Sequence, residues 1–254
     1  MKRKAIIISI KGQDLSIKEK NLIQNEKPWG LILFKRNINS LPQIIRLIKK
    51  IKILTKDPNF PIMIDEEGGV VSRLGNIINH NFTQRLIGNI YKYDTEISIK
   101  VYKEYINYLS KILKKIGINI NTVPVLDVGR KFTNKIIGNR SFSNDPNIVK
   151  KLGQICVKQY KLNKIGNVIK HIPGHGCSSF DSHLKTPKVK LNLKILNKID
   201  FLPFKLNTSH FAMTAHILYS NIDKKNVTTF SKKMVSEIIR KKIGFKGILM
   251  SDDI

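Results

Sequence analysis

Asp252 follows the run Gly247-Ile248-Leu249-Met250-Ser251, which reads as a buried strand. Its carboxylate therefore sits at a strand mouth, from which it could attack a substrate carbon. A second unit, Asp181-Ser182-His183, places an Asp two residues from a His. Such a carboxylate can orient the imidazole, fix its tautomer and stabilise its protonated form, which makes a tuned general acid/base. The stretch Lys170-His171-Ile172-Pro173-Gly174-His175-Gly176 joins three donor side chains to a proline and two glycines that constrain the backbone. Asp65-Glu66-Glu67-Gly68-Gly69 sets three carboxylates before two glycines, a pairing suited to a sharp turn or to close approach of a ligand. Arg73 lies near enough in sequence to neutralise one of those carboxylates.

Taken singly, each feature has a plainer explanation. A strand-terminal Asp often caps the next helix, as Asp253 could. A lone His is usually structural, and the acidic triplet has a solvated turn as its plainer reading, although buried apolar sequence leads straight into it. Asp65, Lys170 with His171, His216 and Asp252 nevertheless close four different apolar runs, which packing does not explain. A metal reading rests on His171, His175, His183 and His216, but they lack the helical spacing of zinc sites. We expect no metal and no cofactor.

These residues need elements to hold them. Apolar runs at 5–10, 30–34, 61–65, 118–123, 166–170, 210–215 and 247–251 predict strands buried on both faces. Helices fall between them. One has Pro42 in its first turn and reaches about Leu54. A second has Ile97, Val101, Tyr105, Tyr108, Ile112 and Ile116 on one face. A third starts at Asp145-Pro146 and runs to about Leu162, and a fourth lies between Ser231 and Gly244. Alternating strands and helices predict an α/β fold with a parallel sheet. Seven strands without a glycine-rich loop after the first favour a barrel, in which all strand C-termini open on one active-site face.

The chain of 254 residues carries 46 Lys and Arg against 18 Asp and Glu, a net charge of +28, and is 41% apolar. That apolar share excludes general disorder. No apolar run approaches a membrane span, so no membrane association is expected. The charge would fit a nucleic-acid binder, but 38 Lys stand against 8 Arg, 42 Ile against 12 Val, and there are only 3 Ala. This is the imprint of AT-rich codons, so no specific nucleic-acid partner is expected. Two cysteines form no disulfide framework, and the basic start Met1-Lys2-Arg3-Lys4 precedes too short an apolar run for a signal peptide. A cytoplasmic protein is expected; its oligomeric state is open.

Read in order, the stretches resemble the bacterial β-N-acetylhexosaminidases of glycoside hydrolase family 3. The resemblance covers essentially the whole chain. It is carried by Gly30 to Asn37, Ile64 to Gly69, Val123 to Asp127, Ile137 to Phe142, Lys170 to Gly176, Asp181 to His183, Ala215-His216 and Ser251 to Asp253. It implies a TIM-type (β/α)8 barrel and retaining hydrolysis of terminal β-linked N-acetylglucosamine, with a role in recycling muropeptides from peptidoglycan. By matching positions, Asp252 would be the nucleophile and His183 the acid/base, with Asp181 as its partner. Asp65, Arg73, Arg140, Lys170 and His171 would hold the sugar. Glu66 stands where the family usually has Gln, and Cys177 where it usually has Asp. Relatives continue beyond the position of Ile254. The resemblance thus implies one catalytic barrel domain over 1–254, truncated after strand seven and lacking the usual C-terminal strand and helices. Two other readings stay open: a catalytically inactive remnant that keeps sugar binding, and a cationic polyanion-binding protein.

Overall fold

The five inner apolar runs form parallel strands whose alternate residues bury against two different layers. The first and last runs, expected to be buried on both faces, leave Ile6 and Ile248 51% and 59% exposed because each lies at a sheet edge. The computed structural model describes residues 2–130, 133, 137–178 and 186–253. The first half alternates β1 (Lys4–Ile8), α1 (Ile17–Glu26), β2 (Pro28–Leu33), α2 (Leu41–Thr55) and β3 (Ile62–Ile64). Then follow α3 (Gln84–Tyr93), α4 (Thr95–Ile116), β4 (Ile120–Asn121), α5 (Pro146–Leu162) and β5 (Gly166–Ile172). The rest comprises β6 (Lys188–Val189), α6 (Leu193–Lys198), β7 (Phe211–Thr214), β8 (Leu218–Tyr219), a π-type helix (Met234–Ile243) and β9 (Ile248–Met250).

Seven strands make one parallel sheet in the order β1-β2-β3-β4-β5-β7-β9, and these are the seven expected from sequence. The pair β6–β8, which the sequence reading did not include, stands apart. Leu31, Leu33, Ile62, Ile64 and Ile169 join the core under the helices, whereas Met63, Ile120, Val168 and Met213 form a second cluster inside the curve. Such period-2 burial on both faces is why the runs look continuously apolar. Among the described residues β1 and β9 are the sheet edges, yet both line one cavity of about 870 Å³, so the sheet is curled. Among the described residues no helix is long and apolar enough to cross a membrane.

Helix α2 follows its caps: Ser40 accepts from the Gln43 N–H, Pro42 sits in the first turn, and Ile44, Leu47, Ile48 and Ile51 are buried. Helix α5 likewise starts with Asp145 accepting from the Asn147 N–H. The expected face of α4 needs correction. Ile97 and Tyr108 are 54% and 56% exposed, while Tyr102, Ile106, Leu109, Leu113 and Ile116 are buried against α2, α3 and α5. The helix carries two apolar stripes, and only contact with neighbouring helices selects between them.

Candidate active site

The strand ends converge as the parallel topology requires. Asp65 stands just after β3, Thr122 just after β4, Lys170 and His171 at the end of β5, and Asp252 just after β9. The turn that follows β3 is tight. Gly68 and Gly69 have φ of +88° and +60°, and a Cβ on Gly68 would meet the Phe82 carbonyl oxygen at 2.0 Å. Asp65, Arg73, Arg140, Lys170, His171 and Asp252 all line the cavity, above an apolar floor that includes Trp29, Met63 and Phe211.

Lys170 is buried at the centre. Its Nζ donates to Glu67 Oε1 at 2.7 Å, Thr122 Oγ1 at 3.0 Å and Asp65 Oδ1 at 3.1 Å. Thr122 in turn donates to Asp65. Arg140 grips Glu67 through two bonds, Nε to Oε2 at 2.7 Å and Nη2 to Oε1 at 2.9 Å, a fork-to-fork geometry. Arg73 Nη2 lies 3.6 Å from Asp65 Oδ2. Burial opposes ionisation of Asp65, but Lys170, Thr122 and Arg73 outweigh it and hold the carboxyl well below the usual range. Burial likewise opposes ionisation of Glu67, and Lys170 and Arg140 overcome it. Lys170 itself is pulled up by the two carboxylates in spite of its burial. The result is a fixed lattice of charges, not a solvated acidic turn.

Asp127, fully buried, organises the other half. Its Oδ2 accepts from His171 Nδ1 at 2.7 Å, and its Oδ1 accepts the N–H groups of His171 and His175 at 3.2 and 2.6 Å. Burial is again outweighed, here chiefly by His171, and the Asp127 carboxyl is held at about 2. With Nδ1 occupied, His171 turns Nε2 toward the cavity, 3.9 Å from Asp252 Oδ2. His216 supports that strand end. Its Nε2 donates to the Asp253 carbonyl at 2.9 Å, which leaves Nδ1 to accept from the Thr229 hydroxyl at 2.8 Å. Asp181 and His183 lie outside the described residues.

Sequence reasoning gave no role to Glu67, Thr122 or Asp127. Their signal was position alone, since each lies close behind an apolar strand and ahead of a turn. Among the described residues no three His, Cys, Asp or Glu are grouped to hold a metal ion. Cys177 is buried against Tyr219 and the Gly174 carbonyl, and burial pushes its thiol well up, so it is no ready nucleophile.

Two buried groups near the His171–His175 turn make opposing demands on pH. Burial depresses His175 from 6.5 to about 4, so it is neutral in the fold where the unfolded chain would protonate it. Stability from His175 is therefore lost as pH falls through that window. Burial raises Asp200 from 3.8 to about 6 against the pull of Arg130, so its contribution is lost as pH rises from 3.8 to 6. Each displacement corresponds to roughly 3 kcal/mol, and the two nearly cancel. His175→Gln should leave Asp200 uncompensated, so the variant gains up to about 3 kcal/mol on the wild type between pH 6 and 4. Urea unfolding at stepped pH reads this difference; parallel profiles for the two proteins would refute the assignment.

The chain resembles known proteins in both sequence and fold. The chain is 30% identical over 252 residues to a beta-hexosaminidase of Xylella fastidiosa (strain 9a5c), covering 98% of this chain and 74% of the relative. The crystal structure of NagZ from Neisseria gonorrhoeae with N-trifluoroacetyl-D-glucosamine superimposes with a TM-score of 0.89 at 31% identity, covering 99% of this chain and 74% of that one. A structure of the same neisserial protein with zinc ion gives a TM-score of 0.88 at 30% identity, with 99% and 74% covered. Residues 6–254 match the model of the glycosyl hydrolase family 3 N terminal domain, and the chain belongs to that family.

Proposed function

We propose that the chain is a retaining β-N-acetylglucosaminidase that removes terminal β-linked N-acetylglucosamine from muropeptides during peptidoglycan recycling in the cytoplasm. The observation that carries this reading is the joint placement of Asp252 and the Asp65–Lys170–Arg73–Arg140 charge lattice on one cavity of about 870 Å³. A fixed set of donors and acceptors suits sugar hydroxyls, and an adjacent carboxylate suits attack at the anomeric carbon.

In the first step an Asp252 oxygen bonds to the anomeric carbon while the bond to the leaving oxygen breaks. His183, protonated and held by Asp181, gives its proton to that oxygen. In the second step neutral His183 takes a proton from water, whose oxygen attacks the anomeric carbon and frees the Asp252 carboxylate. Two displacements retain the β configuration. Asp65 accepts hydrogen bonds from the sugar and Arg73 and Arg140 donate to it, while His171 offers Nε2 to a sugar hydroxyl and Lys170 holds Asp65 and Glu67 in place.

The direct test is release of a chromogenic leaving group from an aryl β-N-acetylglucosaminide by the purified chain, with muropeptide fragments as competitors. No release under any condition would eliminate the proposal and favour a sugar-binding remnant. His183→Ala should lower turnover by roughly 10²–10⁴-fold, the scale of general acid–base catalysis. The loss should shrink for aryl groups of low pKa, which leave without protonation. Equal losses across leaving groups would mean that His183 only binds.

A further inference from the structure

We propose that Glu66 and His80 are positioning residues that set Arg73 at the sugar site. Glu66 is 1% exposed. Its neighbours Asp65 and Glu67 line the cavity, but its own side chain faces the other way, among Phe82, Tyr105 and Tyr160. There its Oε2 accepts the backbone N–H groups of Arg73 at 2.7 Å and Leu74 at 2.8 Å. Its Oε1 meets His80 Nε2 at 3.1 Å. A carboxylate only accepts, so Nε2 carries the hydrogen.

The backbone of Glu66 is pinned as well. Its N–H donates to the Asn121 side-chain oxygen at 3.0 Å, and its carbonyl accepts from Asn121 Nδ2 at 2.9 Å. The turn between Glu66 and Arg73 closes on itself through Glu67 N–H to the Val71 carbonyl at 3.0 Å. Glu66 is thus a rigid post, and its carboxylate ties the far end of the turn at the residue whose guanidinium reaches Asp65. His80 holds the remaining oxygen and braces the post against the Tyr105 ring, 5.5 Å between centroids. Two charge-assisted bonds to one backbone segment fix where the Arg73 side chain starts. Neither Glu66 nor His80 touches the sugar in this arrangement; both act through Arg73.

The inference rests on the reading of Arg73 as a sugar-binding residue, and the test separates the two. Affinity for N-acetylglucosamine is read from the fluorescence of Trp29, the single tryptophan, which lines the cavity. KM and kcat are read on an aryl β-N-acetylglucosaminide. Arg73→Ala is expected to weaken binding roughly tenfold or more, the scale of a lost charge-assisted hydrogen bond. Glu66→Ala should raise Kd and KM about tenfold while kcat changes by less than about twofold. Glu66→Gln should stay within about threefold of wild type, because its amide oxygen still accepts both N–H groups. Arg73→Ala added to Glu66→Ala should cost nothing further, since both remove the same contact. If Glu66→Ala does not fold, His80→Leu carries the same cycle, with a loss of at least about threefold. Unchanged binding in Arg73→Ala would overturn the sugar-binding reading and this inference with it. Weakened binding in Arg73→Ala with full affinity in Glu66→Ala or His80→Leu overturns the positioning role alone. So do losses that multiply in the double variant, or a Glu66→Gln variant as weak as Glu66→Ala.

Discussion

Asp252→Asn is expected to remove glycosidase turnover, by on the order of 10⁴-fold or more, while the fold stays intact. Asp252 follows β9 at the cavity rim, its side chain only 19% exposed, with His171 Nε2 at 3.9 Å from Oδ2. Its other oxygen accepts the Asp253 N–H at 2.9 Å. The amide of Asp252→Asn can keep that contact through its own oxygen, so the strand end should hold and the melting temperature should barely move. An amide is a poor nucleophile toward an anomeric carbon, and the covalent intermediate should not form. Asp253→Asn is the control. The neighbouring structure uses Asp253 through its backbone N–H and its carbonyl, the latter accepting from His216. Asp253 also lines the cavity, so it controls for loss of a negative charge at the rim, and turnover of Asp253→Asn should stay near wild type. Normal turnover in Asp252→Asn, or equal losses in the two variants, would remove Asp252 from the reaction.

The strands were legible because the physics that buries them leaves a simple trace. A parallel strand covered on both faces needs apolar residues at successive positions, and all seven runs of that kind became neighbours in one sheet. What failed to register lacked such a trace. β6 and β8 are two residues each, too short for any period, and are held by each other. In α4 the trace was present twice. An isoleucine-rich composition leaves Ile97 and Tyr108 exposed beside the true core face of Tyr102, Ile106, Leu109 and Leu113. Sequence periodicity finds a helix here, but the facing surfaces of α3 and α5 decide which stripe is buried.

The site was legible in a different way. Asp65, Lys170, His171 and Asp252 were found because ionisable groups behind apolar strands must emerge at one rim of a parallel sheet. Arg73 was marked by its nearness in sequence to the acidic triplet and Arg140 by the family resemblance alone, and both reach the same cavity. Spacing could not say which carboxylate of Asp65-Glu66-Glu67 faces what. The turn sends Glu67 to Lys170 and Arg140, and Glu66 to the opposite side against His80. Nor could spacing reveal that Asp127, some forty residues before His171 in sequence, decides which imidazole nitrogen faces the cavity. Those are contacts between separate strand ends, and they exist only once the sheet has curled.

Lys170→Met should be the most damaging single change to the fold among the site residues, and it should invert the pH dependence of stability. The Lys170 side chain is 3% exposed and stands between two carboxylates whose own side chains are 14% and 1% exposed. Removing one partner of a buried ionic group typically costs about 3–5 kcal/mol, because the remaining charges lose compensation while staying desolvated. Arg140 still holds Glu67, but Asp65 keeps only Arg73 at 3.6 Å and the Thr122 hydroxyl. In the wild type both carboxyls are held below their ordinary values of 3.8 and 4.5. They therefore contribute stability that is present above those values and lost as pH falls. Without Lys170, burial dominates and the carboxyls rise, so the variant should lose stability as pH climbs from about 4 toward 7. Adding Asp65→Asn to the variant should recover part of the loss by discharging the pair, although sugar binding stays absent. Lys170→Arg should not rescue, since a branched planar guanidinium does not fit a space shaped around one ammonium with three acceptors. Urea unfolding at pH 5 and pH 7 measures all four proteins. A Lys170→Met variant as stable as the wild type at pH 7 would show that the Lys170 ammonium is an ornament of the rim, and that Asp65 and Glu67 are held apart by something other than its charge.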